Sequence, residues 1–268
     1  MLAKRVLTAA VLVPVLVAAV LSGQGWPLVL LAGAVVVLCA REYHRMFLSA
    51  PRDRRSGVAL TALAYVACVL LPVPLAVAAL LACVVLATFH VLPGGAPAAD
   101  KARTAGAIVL GVVYIGASLA MYPRVRALPR GEHWVLFGLV AVSLGDAVAY
   151  FVGRAVGRRP LSPISPNKTV EGAAGGLAGS IVLGGAYAAW FLPSVPLWFA
   201  AAAAAALGVI GQGGDLFESL LKRAAGVKDS GTLLPGHGGM FDRADAVIAA
   251  GPALYFVAAL APFLGGRG

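Results

Sequence analysis

The sequence predicts an all-α, polytopic integral membrane protein, and three observations predict it. Of 268 residues, 60 % are hydrophobic and only 12 % charged, and the mean hydropathy is +0.91. Apolar runs of near membrane-spanning length recur along the whole chain, while the polar chemistry is gathered into a few short stretches between them. A soluble globule of this composition would have to expose hydrocarbon over most of its surface.

Taken in order, the apolar runs fall at 6–21, 26–40, 58–71, 74–92, 104–122, 133–152, 175–192, 196–214 and 247–264, about nine transmembrane helices. Several are shorter than the roughly 20 residues that cross a bilayer at about 1.5 Å per residue. Lys4 and Arg5 ahead of the first run resemble the start of a secretory signal. A second run begins at Trp26 with no small-residue cleavage site before it, so the first helix is expected to be retained. The second helix is expected to continue through 41–47. Short uncharged links at 22–25, 72–74 and 193–196 read as hairpin turns between neighbouring spans. The expected division is an N-terminal set of transmembrane helices, 1–130, and a C-terminal transmembrane region, 131–268, that holds the polar stretch 219–245.

Charge orients the bundle. With nine spans, Arg124, Arg126, Arg130 and Arg267 lie on one side and the other 17 of the 21 basic residues on the opposite side. The positive-inside rule then puts the N-terminus and the charged loops in the cytoplasm, in the inner membrane of the cell. The net charge of +10 is spread between apolar segments rather than along one face, which favours anionic lipid contact over nucleic acid. Cys39, Cys68 and Cys83 sit in apolar surroundings without a CxxC pair and read as small buried hydrophobes. Gly172, Gly175, Gly176 and Gly179 give small-xxx-small spacings, suited to close helix packing or to a homodimer face.

The chemistry is concentrated at 211–245. Asp215, Glu218, Asp229, Asp242 and Asp245 are five of the chain's 11 acids, and Lys222, Arg223, Lys228, His237 and Arg243 accompany them. Ionisable groups beside hydrocarbon mark places where ions or substrates are handled. Asp215 closes the eighth run, and Asp242 and Asp245 open the ninth, three residues apart and on one face if helical. Converging carboxylates need a cation, and oxygen donors without His or Cys suit Mg²⁺. The alternative is simple pairing with nearby Lys or Arg at a helix start. Lys222, Arg223 and Lys228 fit an ordinary basic collar, but the glycine-rich stretch 231–239 beside them could offer N–H groups to phosphate. His237 could stabilise phosphate charge, transfer a proton or hydrogen-bond a turn.

A third set follows the sixth run. Asp146 lies within an apolar segment, where an acid normally pairs or lines a polar cavity. Pro160, Pro163 and Pro166 exclude a helix, so 164–169 is an ordered or re-entrant loop, with Lys168 and Glu171 opening the next helix.

On these residues the chain resembles the phosphatidate cytidylyltransferase (CDP-diacylglycerol synthase) family. The segment SLLKRAAGVKDSGTLLPGHGGMFDRAD carries the family signature at Ser219, Lys222, Arg223, Lys228, Asp229, Pro235, Gly236, His237, Gly238, Gly239, Asp242, Arg243 and Asp245. GDLFES, AYFVGR and SPISPNKTVEG match its upstream elements, so at least the C-terminal half is covered. Ala244 departs from the larger apolar residue usual there, which implies a packing difference.

The resemblance implies Mg²⁺-dependent conversion of CTP and phosphatidate into CDP-diacylglycerol and pyrophosphate for phospholipid synthesis. Asp215 and Asp242 are expected to hold Mg²⁺, with Asp245 on the same or a second cation. Lys222, Arg223 and Lys228 are expected at phosphates, and Lys168 at the lipid or triphosphate. Ser219, His237, Arg243 and Asp146 complete the expected substrate site. Membrane lipids are expected around the helices. The competing readings are a related membrane transferase or kinase acting on another lipid, and an anion transporter with a path lined by Asp146 and the charged loops.

Overall fold

A computed structural model describes residues 2–233 and 238–264, with the backbone alone for residues 2–9 and 11. His237 and Arg267 lie outside the described residues, as do the side chains of Lys4 and Arg5. Among the described residues the chain is almost wholly helical: α1 (Leu2–Leu21), α2 (Trp26–Phe47), α3 (Pro51–Leu70), α4 (Val73–Val91), α5 (Ala98–Arg126), α6 (Gly131–Val156), α7 (Val170–Phe191), α8 (Leu197–Ala224) and α9 (Phe241–Leu264). Seven of these helices, α2 and α4–α9, are long and apolar enough to cross a membrane. The helices number nine, and the expected count of nine spans is not confirmed among the described residues. The apolar described part of α1 is only Leu12–Leu21, and α3 opens on Arg52, Asp53, Arg54 and Arg55.

Large apolar side chains point outward, with Trp190 84 % and Phe263 82 % exposed. That is the arrangement expected of surfaces solvated by lipid rather than water. The three cysteines are buried and unbridged, as their surroundings suggest.

The chain forms two compact units. The first comprises residues 1–123 and 224–244, so the charged loop after α8 clusters with the N-terminal helices. Its core includes Leu48, Ala64, Cys83, Ala87, Ile108 and Val112. Gly111–Ala117 of α5 is wound as a π-helix, and a Cβ at Gly116 would meet the Thr61 carbonyl of α3. The absent side chain lets the two helix backbones approach.

The second unit comprises residues 124–223 and 245–268. Its α7 buries Gly172, Gly176, Ser180 and Gly184 at every fourth position. Gly172 and Gly176 face Ala149 of α6, while Gly175 and Gly179 face Val152 and Val148 of the same helix. The small-residue stripe therefore serves helix packing inside the unit. Ser180 Oγ donates to Ala141 O at 2.7 Å, inside the π-helical Val140–Leu144 of α6. Between α6 and α7, the proline-rich link forms an antiparallel hairpin of β1 (Pro160–Ser162) and β2 (Ser165–Thr169).

Candidate active site

The eighth helix does not stop at Gly214, where the apolar run ends. It continues to Ala224, and Gly226 at φ +71° turns the chain out of it. One buried stripe runs through Ala200, Ala204, Leu207, Gly211, Gly214, Glu218 and Leu221. Charged residues of the extension occupy its lower end: Asp215, Glu218 and Lys222 stand three and four residues apart, on one face. A Cβ at Gly214 would lie 2.8 Å from the Asp245 carbonyl, so the glycine permits α8 and α9 to meet at the level of these acids.

Carboxylate oxygens of Asp215, Glu218 and Asp245 lie within 4.8 Å of one another. Glu218 is fully buried, while Asp215 and Asp245 are half-buried. Two ammonium groups offset this charge. Lys222 Nζ is 2.7 Å from Glu218 Oε2, and Lys168 Nζ pairs with Asp215 Oδ2. Glu218 stands outside the set of metal-ligand candidates that the sequence suggested. Its signal was present in its spacing from Asp215 and Lys222, but became readable only with the helix extended past Gly214.

Lys168 reaches Asp215 from the end of the hairpin. Thr169 Oγ1 accepts from Gly172 N at 3.1 Å and caps α7, fixing the residue that follows Lys168. Glu171 Oε2 accepts the N–H groups of Arg158 and Arg159 at 3.0 and 3.2 Å, closing the hairpin's other end. A cavity of about 480 Å³ opens here, and Asp146, Tyr150, Arg154, Asn167, Lys168 and Asp215 are among its lining residues. Asp146, placed by the sequence inside an apolar run, thus lines a cavity that also carries Arg154, Lys168 and Asp215.

Asp242 belongs with the first unit and has a separate set of partners. Ser230 N and Ser230 Oγ lie 3.0 and 2.9 Å from Asp242 Oδ2, and Gly239 N donates to it at 2.7 Å. Within the second unit the acids drawn together are Asp215, Glu218 and Asp245. Within the first, Asp242 ties Ser230 to the start of α9. Arg223, Lys228 and Arg243 are exposed and Ser219 is half-buried on α8. A second cavity, about 450 Å³, is bordered by Arg41, Glu42 and Arg45 of α2 and by Asp229, Ser230 and Gly231. Ala244 is buried at the start of α9.

Comparison with known proteins decides the family. The model of the cytidylyltransferase family matches residues 3–261. The chain belongs to this family. A phosphatidate cytidylyltransferase of Bacillus subtilis is 41 % identical over 184 residues, 68 % of this chain and 67 % of the relative. One from Synechocystis is 43 % identical over 139 residues, 51 % of this chain and 47 % of its own length. One from Staphylococcus saprophyticus is 41 % identical over 138 residues, 51 % and 52 % of the two chains. The matched stretch thus spans two thirds of the first relative and about half of the other two.

For a cytidylyltransferase-family protein the donor set is chemically apt. Asp215, Glu218 and Asp245 offer hard oxygen ligands with neither imidazole nor thiolate among them, and carboxylates crowded this closely repel unless cations intervene. The adjoining cavity carries Lys168 and Arg154, cations suited to phosphate oxygens.

Proposed function

We propose that this chain transfers the cytidylyl group of CTP to phosphatidate, releasing pyrophosphate and leaving CDP-diacylglycerol in the membrane. The observation that carries the reading is the carboxylate cluster of Asp215, Glu218 and Asp245 beside a cavity that Lys168 enters, within a membrane protein of the cytidylyltransferase family. An oxygen of the phosphatidate phosphate attacks the α-phosphorus of CTP. The bond from that phosphorus to the β-phosphate bridging oxygen breaks, and pyrophosphate leaves with the electron pair. A phosphate monoester has its second pKa near ~6 and is largely ionised at neutral pH, so no strong general base is required.

The obstacle is repulsion between two anions, and catalysis consists mainly of positioning and charge neutralisation. Asp215, Glu218 and Asp245 would hold Mg²⁺, and Asp242 is proposed as a further ligand by its place in the family signature. The bound ion would supply positive charge to the triphosphate and to the departing pyrophosphate. Lys168 and Arg154 bind phosphate oxygens from the cavity wall. Lys222, Arg223, Lys228 and Arg243 neutralise the rest, and Ser219 and Asp146 orient substrate. Counted over nine spans, the distribution of basic residues supports an active site facing the cytoplasm with the N-terminus inside, where CTP is available. The lipid reaches the site from between the helices, in contact with membrane lipids.

The purified protein is to be incubated with CTP labelled at its α-phosphate, phosphatidate and Mg²⁺. The expected products are labelled CDP-diacylglycerol and unlabelled pyrophosphate, with Asp245→Asn slower by roughly 10²-fold or more. Failure of the wild type to label phosphatidate, or preference for another nucleotide or a lipid alcohol in a substrate panel, would overturn the assignment.

A further inference from the structure

The first free N–H groups of a helix ordinarily find an acceptor close by in sequence. At the start of α9 the acceptor comes from α2. Met240 N donates to Glu42 Oε1 at 3.0 Å and Phe241 N donates to Glu42 Oε2 at 2.8 Å. Ser230 Oγ lies 3.1 Å from the same Oε2, and Glu42 is only 9 % exposed. Its charge faces the positive end of the α9 dipole, a favourable placement for an anion.

The loop is shaped to admit this carboxylate. A Cβ at Gly231 would stand 2.7 Å from Glu42 Oε1, and one at Gly239 would stand 2.6 Å from Glu42 Cδ. Side chains at either position would expel it. Ser230 links Glu42 to Asp242, so two carboxylates share one hydroxyl. In sequence, Lys228 and Asp229 directly precede Ser230, and Arg243 directly follows Asp242. Glu42 thus binds both ends of the loop, at Ser230 and at Met240 and Phe241.

We propose that Glu42 is a positioning residue for cytidylyl transfer, a carboxylate of α2 that holds Ser230 and the first turn of α9 in their working arrangement. The proposal rests on the reaction assigned above, and it adds to the signature a residue from the other end of the chain. A purely structural role would lower thermal stability and leave turnover per folded molecule alone. A positioning role alters turnover in protein that remains folded.

The test is Glu42→Gln, which retains the shape and one acceptor, purified in detergent beside the wild type. Steady-state kinetics against CTP and amide hydrogen exchange at Met240 and Phe241 are both measured. The expected result is a kcat lower by at least about tenfold, a raised KM for CTP, and faster exchange at those two amides. Gly231→Ala, which crowds the carboxylate without altering its chemistry, is expected to act in the same direction and serves if Glu42→Gln does not fold. Wild-type kcat and KM in either folded variant would overturn the proposal. Reduced turnover with unchanged exchange would overturn it too, because the loop would then be held by other contacts. Should the wild type itself form no CDP-diacylglycerol, the assigned reaction fails, while faster exchange in Glu42→Gln would still sustain the loop-holding role of Glu42.

Discussion

Lys222 Nζ lies 2.7 Å from the Glu218 carboxylate one turn earlier on α8, and the glutamate side chain is only 1 % exposed. A carboxylate so buried is tolerable only with its charge compensated. Lys222 therefore has a task besides the phosphate contact that its place in the signature suggests. It places a positive charge against the buried Glu218 carboxylate, one of the three that lie together on α8 and α9.

Removing one partner of a buried pair costs far more than removing both, because the survivor is left buried and charged. Lys222→Met is expected to destabilise the protein by about 3–5 kcal/mol, whereas adding Glu218→Gln should recover a large part of that loss. Thermal unfolding in detergent across the four proteins of the cycle measures the coupling. Additive losses would show that the two side chains do not depend on each other.

Asp242 and Asp245 are separated by one turn of α9 but have different surroundings, and their variants should differ accordingly. Both Asp242→Asn and Asp245→Asn are expected to weaken Mn²⁺ binding, used as a paramagnetic substitute for Mg²⁺, by at least about tenfold. Only Asp242→Asn should also speed amide exchange at Ser230 and Gly239, whose N–H groups it accepts. Unchanged Mn²⁺ affinity in Asp242→Asn would confine Asp242 to ordering the loop.

Much of this was legible in the sequence, and the parts that were not share a physical cause. Apolar runs mark lipid-exposed helices because no water competes for their backbone, so the membrane-spanning elements are readable from composition alone. The end of α8 was not, since hydropathy reports where the chain leaves the hydrocarbon and not where the helix stops. Reading Asp215 as the end of the run concealed Glu218 on the same face. The span count failed to settle for a related reason: α3 combines an apolar second half with a first turn rich in arginine.

Proline excluded a helix at 160–166 correctly, but the hairpin there depends on Glu171 reaching back to Arg158 and Arg159, a tertiary bond with no local signal. Glu42 is the extreme case. Its partners lie 188 to 199 residues away, and nothing near position 42 announces them.

The hairpin supplies a further prediction. Glu171 binds the two amides at its entrance, and Lys168 at its exit reaches Asp215. Glu171→Ala should therefore leave Lys168 less well placed, raising KM severalfold with little change in unfolding temperature, since Glu171 itself is only half-buried. Glu171→Gln keeps one acceptor oxygen and should retain most of the wild-type KM. Steady-state kinetics on both variants decides, and an unaltered KM in Glu171→Ala would show that the hairpin holds without this bond.

Ser180 joins three helices of the second unit, and its two kinds of contact predict opposite responses to size. Its hydroxyl donates to Ala141 O at 2.7 Å, in a π-helical stretch where the regular i to i+4 pattern is interrupted, and lies 3.0 Å from Gly176 O. Ser180→Ala removes the donor while keeping the packing, so the expected loss is about 1 kcal/mol, the net value of one such bond. Gly208 of α8 faces the same side chain, and a Cβ there would stand 2.8 Å from Ser180 Cβ. Gly208→Ala should therefore cost more, about 1–3 kcal/mol, by forcing α7 and α8 apart. Combining the two should recover little, because the Cβ to Cβ clash persists after the hydroxyl is gone. Thermal unfolding of the single and double variants checks the order, and a double variant as stable as Ser180→Ala alone would show that the hydroxyl, not the backbone spacing, limits the approach of the two helices.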